Sequence, residues 1–305
     1  MSKALCVAAT VAVLLADTAP SSARTSGPLE PSSNWHLDYG ENRCRLARQF
    51  GEGSEKHAIM MDMDKPSTYV GLIVTGPSFE RVDTSRPIVL QFGDLDTIEE
   101  SAYSFGDMEP FGPALILHGV GLDAPEAGDE KQEKRRPIPR EHTESPEGMP
   151  SLPFDRFSDV TSLTVERRNS DPVAFQLDGL GGALKALNTC VEELITFWGL
   201  DLEQHRTMRQ GPTMVNPSTV FEGIVSNYPK KALRKGEQGS IRFLVIVGAD
   251  GEIEECRQSD ATALKTLESP VCREMRRARF EPALDKDGKP MRSYYASTIR
   301  YVLPS

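Results

Sequence analysis

The chain has 305 residues, 38% of them hydrophobic and 26% charged, with a formal net charge of −10. That length accommodates two domains of ordinary size, and the acidic balance argues against generic nucleic-acid binding. The sum hides an asymmetry: from Tyr228 onward 15 Lys/Arg stand against 11 Asp/Glu, a net of +4, while residues 24–227 carry −14.

Residues 1–23 read as an export signal. Lys3 supplies a positive start, Ala4 to Ala16 is an unbroken weakly apolar run, and Ser21-Ser22-Ala23 offers small residues for cleavage. The run is too short to cross a bilayer, which takes about 20 apolar residues. Cleavage near Ala23 is expected. It leaves Cys44, Cys190, Cys256 and Cys272, and an even count in an oxidising compartment implies two disulfides among three pairings.

A leader (24–33) precedes a β-rich N-terminal domain expected over residues 34–205. "NWHLDYGENRCRLARQFG" reads as two short strands joined at Gly40-Glu41-Asn42, with Trp35, Leu37 and Tyr39 alternating, then Cys44 and Leu46. "HAIMMDM", "TYVGLIVTG", "PIVLQF" and "PALILHGV" continue the pattern, and "DVTSLTVERR" and "PVAFQL" resume it. Between them, residues 123–153 are rich in Pro, Glu, Lys and Arg and read as a mobile loop. A helix over Leu180–Phe197 closes the domain, with Leu184, Leu187, Val191, Leu194 and Ile195 on one face.

Residues 206–217 form the expected linker and 218–305 the C-terminal domain. Thr219-x-x-Glu222 has the spacing of a capping box. Tyr228-Pro229 opens a second helix that Gly236 stops. "SIRFLVIVGADGEIEEC" reads as a hairpin turning at Asp250-Gly251, with Ile241, Phe243, Val245 and Val247 on one face. Ser269-Pro270 starts a helix carrying Val271, Met275 and Ala278, which Phe280 and Pro282 end. Asp287-Gly288 reverses the chain into a closing strand whose face holds Met291, Tyr295, Ile299, Tyr301 and Leu303, interrupted by Ser293 and Ser297. The fold class is α+β.

Catalytic patterns are thin. His36, His57, His118, His142 and His205 are scattered without metal-site spacing, so structural roles are favoured for each. Asp94, Asp96, Glu99 and Glu100 lack the Gly and terminal Glu of a calcium loop. "LDGLGGALKAL" lacks a Gly-Lys-Ser/Thr ending, so its glycines read as tight strand-to-helix packing. The expectation is no catalytic residues, no metal and no cofactor.

The C-terminal domain resembles that of TonB energy transducers. The resemblance rests on Tyr228-Pro229 with Ala232, Gly239 and the Asp250-Gly251 turn. It continues through "RRARFEPA", Gly288-Lys289-Pro290 and "IRYVL". It implies a three-stranded antiparallel sheet with a packed helix, in ββαβ order. It also implies the Cys256–Cys272 disulfide of a subset of these domains, which leaves Cys44–Cys190 as the other pair. Its function would be noncatalytic: binding in the periplasm to an envelope protein or an outer-membrane receptor peptide, in transport across the envelope.

By that resemblance the partner adds as a strand along Ser293, Tyr294, Tyr295, Ala296, Ser297, Thr298, Ile299 and Arg300, with Arg292 and Arg300 meeting acidic partner residues. The competing reading makes this strand an ordinary sheet member covered by the first domain. A retained residue 1–23 segment would instead anchor the protein in the inner membrane. Departures from the family are the lack of a Pro-rich spacer and the folded acidic domain in its place. Two other functions stay open: a hydrolase or ligand-binding N-terminal domain with the TonB-like part as docking module, and a structural envelope protein.

Overall fold

The computed structural model describes residues 27–80, 86–123, 148–227, 230, 234, 239–260 and 269–301. Expectations for residues 1–23, for most of the 123–153 loop and for Tyr228-Pro229 and Gly236 lie outside them. No described helix is long and apolar enough to cross a membrane.

Among the described residues the first part contains ten strands: β1 (His36–Gly40), β2 (Arg43–Phe50), β3 (His57–Met63), β4 (Tyr69–Thr75), β5 (Ile88–Phe92), β6 (Ile98–Glu100), β7 (Tyr103–Met108), β8 (Gly112–Gly121), β9 (Ser162–Glu166) and β10 (Val173–Gln176). They form an antiparallel six-stranded sheet, β1-β2-β3-β4-β8-β7, and a four-stranded sheet, β10-β9-β5-β6. Alternate residues of both sheets meet in one apolar interior: Leu46 and Phe50, Ile59 and Met61, Leu72 and Val74, Leu90 and Phe92, Leu163 and Val165. Strand β3 is buried along its whole length because Ala58 and Met60 on its other face join a second, smaller apolar cluster. That double burial is why "HAIMMDM" is a nearly continuous apolar run.

Helix α1 (Leu180–Phe197) closes this interior with Leu180, Leu184, Leu187, Val191, Leu194 and Ile195. Its glycines serve close packing: a Cβ on Gly181 would lie 2.8 Å from Ser158 Cα and 2.9 Å from the Phe154 carbonyl oxygen. A disulfide joins Cys190 on α1 to Cys44 on β2. The expected leader is partly built in, since Leu29 bridges to Phe175 and the Ser32 amide donates to the Gln49 carbonyl at 2.9 Å.

After α2 (Leu202–Arg206) come β11 (Thr213–Met214), α3 (Pro217–Ser226), β12 (Gly239–Val247), β13 (Ile253–Asp260) and α4 (Val271–Met275), then β14 (Phe280–Glu281), β15 (Ala283–Leu284), β16 (Pro290–Met291) and β17 (Ser293–Tyr301). The segment expected as linker is tied to this part: β11 pairs with β14, and the Arg209 amide donates to the Leu284 carbonyl at 2.9 Å. Strands β13, β12 and β17 make a three-stranded antiparallel sheet in that order. Ile241, Phe243, Val245 and Val247 face a core with Val220, Ile224, Val271 and Met275 from α3 and α4. A second disulfide joins Cys256 on β13 to Cys272 on α4.

Three local expectations are corrected. Helix α3 starts at Pro217 rather than after Thr219, and no side chain caps it; Asn216 instead donates to the Arg277 carbonyl and accepts from the Arg279 amide, each at 2.9 Å. A proline at the first turn suits a helix start, because its missing N–H would be unpaired there anyway. Helix α4 ends at Met275, so "RRAR" follows the helix and Phe280 belongs to a strand. Met291 is outside the closing strand, paired opposite Ala283 and packed on Met208.

Candidate partner-binding edge

Strand β17 is outermost in its sheet and pairs with no described strand other than β12. Which backbone groups face outward follows from the ladder. The Gly248 amide donates to the Glu252 carbonyl across the β12–β13 turn at 2.8 Å. Even-numbered β12 residues therefore point their backbone groups at β13, and odd-numbered ones at β17. By that alternation Gly239↔Tyr301, Ile241↔Ile299, Phe243↔Ser297, Val245↔Tyr295 and Val247↔Ser293 are the hydrogen-bonded pairs of the register. Tyr294, Ala296, Thr298 and Arg300 turn their N–H and C=O groups away from β12.

The side chains of the expected site divide between two faces. Tyr295 and Ile299 join the core under α3 and α4, Tyr295 lying 5.3 Å from the Phe280 ring. Tyr294 and Ala296 face the first part, where Leu244, Ile246 and Ala296 are continuous with its apolar interior. The Tyr294 ring stands 5.1 Å from Trp198 and 5.9 Å from His205, and burial pushes its phenol well above the ordinary value. So the second face of the sheet is covered by the first part, while no described strand pairs with the outer edge. Ser297 is half-buried and Thr298 exposed. Arg300 continues the strand opposite Ser240; the charge role expected of it lies outside the described residues.

Two expectations change here. Ser293 does not leave the strand incompletely buried: it is fully enclosed, with its hydroxyl 3.0 Å from His205 Nε2. Arg292 is already engaged within the chain, donating to Glu254 at 2.6 Å and to the Gly199 carbonyl at 2.7 Å.

Sequence reasoning missed the residues that reach this strand from afar. Lys65, in the β3–β4 turn, donates to the Ala296 carbonyl at 2.6 Å. His205 on α2 holds its ring between the Asp201 carbonyl, 2.6 Å from Nδ1, and Ser293; burial keeps its pKa below the ordinary value. Arg242 on β12 lies 3.6 Å from both Asp62 and Asp64. Asp62 is also gripped by Arg45 through two bonds of 2.6 and 2.7 Å. A lysine in a turn and an aspartate inside a strand carry no sequence signal for such contacts.

At this interface a shallow cleft, with a cavity volume of only about 20 Å³, is lined by Asn42, Asp64, Trp198, Arg242, Arg257 and Ala296, among others. Among the described residues no group of three or more His, Cys, Asp or Glu is placed to hold a metal.

Residues 225–303 match the family model for the Gram-negative bacterial TonB protein C-terminal. No curated protein matches the chain.

Proposed function

We propose that the protein, whose C-terminal part is a TonB C-terminal-family domain, works in the periplasm as a noncatalytic binder of an envelope partner. The partner, an extended peptide such as that of an outer-membrane receptor in transport, adds as a strand to β17. One observation carries this reading: β17 is the outer strand of its sheet, with four residues turning their backbone groups away from β12. Such an edge is a template for a further strand, whose main-chain bonds supply affinity and whose alternate side chains supply register.

A polar cleft between its sheets and α1 would favour a catalytic or ligand-binding role for the first part. That interior is filled instead by Phe50, Met61, Phe92, Leu184 and Val191, among others, which supports binding over hydrolysis. Export through residues 1–23 and the periplasmic setting accord with the two disulfides and with the TonB-type domain.

The test uses the full mature chain to capture partners from an outer-membrane extract, wild type against Thr298→Pro. The substitution removes an outward N–H while sparing the β12 ladder, so the fold should persist by circular dichroism and capture should fall. Undiminished capture would sink the edge reading. Crosslinking in cells that yields no outer-membrane partner would favour a structural envelope role.

A further inference from the structure

Lys65 lies 231 positions before Ala296, yet its ammonium sits on that residue's carbonyl at 2.6 Å. The carbonyl is one of the outward groups of β17. The neighbouring anchors from the first part and its connection fall at the start of the strand or on the residue just before it. Arg292 bonds Gly199, Ser293 meets His205, and Tyr294 rests on Trp198.

We propose that Lys65 gates the leading half of the β17 edge, an inference that rests on the edge reading above. While the ammonium holds Ala296, an extended peptide can pair only along Thr298 and Arg300. Addition over the whole span from Tyr294 to Arg300 requires Lys65 to withdraw, because an incoming N–H must take the same oxygen. Two outward positions make a short ladder and four make a full one. The gate therefore decides whether the edge holds a partner weakly or firmly, and it places that decision in the first part of the chain. A lysine suits the task. Its stem is long and flexible, and its head regains hydration on leaving.

The experiment measures binding of a fluorescein-labelled (Thr-Val)₄ peptide to the full chain by anisotropy. Wild type is compared with Lys65→Ala, Lys65→Met, Thr298→Pro and the Lys65→Ala/Thr298→Pro double variant. Loss of one charge-assisted bond at the gate should tighten binding about tenfold in both Lys65 variants. Thr298→Pro should cancel binding in either background. Lys65→Met keeps the aliphatic stem, so it decides the matter should Lys65→Ala prove unfolded in a thermal melt. Equal affinity of wild type and the Lys65 variants, with Thr298→Pro still abolishing binding, overturns the gate and leaves the edge reading standing. Binding that survives Thr298→Pro overturns the edge reading. Absence of binding in every variant overturns both.

Discussion

Arg242 on the central strand of the C-terminal sheet reaches Asp62 on β3 at 3.6 Å, while Arg45 holds the same carboxylate with two bonds of 2.6 and 2.7 Å. Arg43 stands 3.9 Å from it as well, and the Asp62 side chain is only 3% exposed. One buried carboxylate thus serves arginines from both parts of the chain.

Removing that carboxylate should be costly. Asp62→Ala leaves three part-exposed arginines without their shared carboxylate, so the loss should fall toward the lower end of the about 3–5 kcal/mol that breaking a buried pair on one side costs. Urea unfolding of the full chain should show a loss in that range. A loss under about 1 kcal/mol would mean that the arginines find other partners and that the cluster is not a structural link.

The two disulfides should differ in worth. Cys44 and Cys190 are 146 positions apart, Cys256 and Cys272 only 16. On the chain-entropy account the longer loop contributes roughly 4–5 kcal/mol and the shorter about 3. Thermal melts of the paired Cys→Ala variants under non-reducing conditions should therefore rank Cys44/Cys190 as the greater loss. The opposite ranking would show that loop closure is not the main source of their stabilisation.

Acid should weaken the fold through two histidines. His57 lies between the Glu55 carbonyl at 2.8 Å and Ser78 at 3.0 Å, and burial lowers its pKa, as it does for His205. The unfolded chain binds these protons more readily than the folded one. Their contribution is thus whole above a pH of about 6.5 and declines as pH falls through that value toward the lower folded pKa values. Urea unfolding at pH 7.5, 6.0 and 5.0 should show this decline, flattened in the His57→Gln/His205→Gln variant. Identical pH slopes for the two proteins would rule out these residues as its origin.

Gly251 tests the hairpin turn. Its φ is +82°, and a Cβ there would lie 2.2 Å from the Phe280 carbonyl oxygen. Gly251→Ala should destabilise by about 1–3 kcal/mol, from backbone strain and the displacement of β14. Gly53, with φ of +59° and open space around it, is the control, since alanine there meets strain alone. Equal denaturation midpoints for the two variants would show that the approach of Phe280 does not matter.

Much of the fold is legible locally. Period-2 alternation marks Ile241, Phe243, Val245 and Val247 as one face because a strand points successive side chains oppositely. The spacing of Leu184, Leu187, Val191 and Leu194 marks α1 because a helix repeats every 3.6 residues. Those signals depend only on neighbours in sequence. They are weaker at ends, where a single bond decides: Asn216 spends its side chain on Arg277 and Arg279 instead of capping α3, and Thr219 lies inside the helix. The strand expected to receive a partner is where the sequence places it, but its face and its edge are not equivalent, and no periodicity distinguishes them.

By itself the sequence determined the succession of strands and helices, the hairpin at Asp250-Gly251 and the family likeness of the C-terminal part, since each is written in residues close together along the chain. Tertiary structure alone decided that Leu244 and Ala296 share an interior with the first part, that Asp62 answers Arg242, and that Lys65 occupies a carbonyl of β17. The reason is physical. These contacts join residues tens to hundreds of positions apart, and their energies depend on burial and direction, which exist only once the sheets have met.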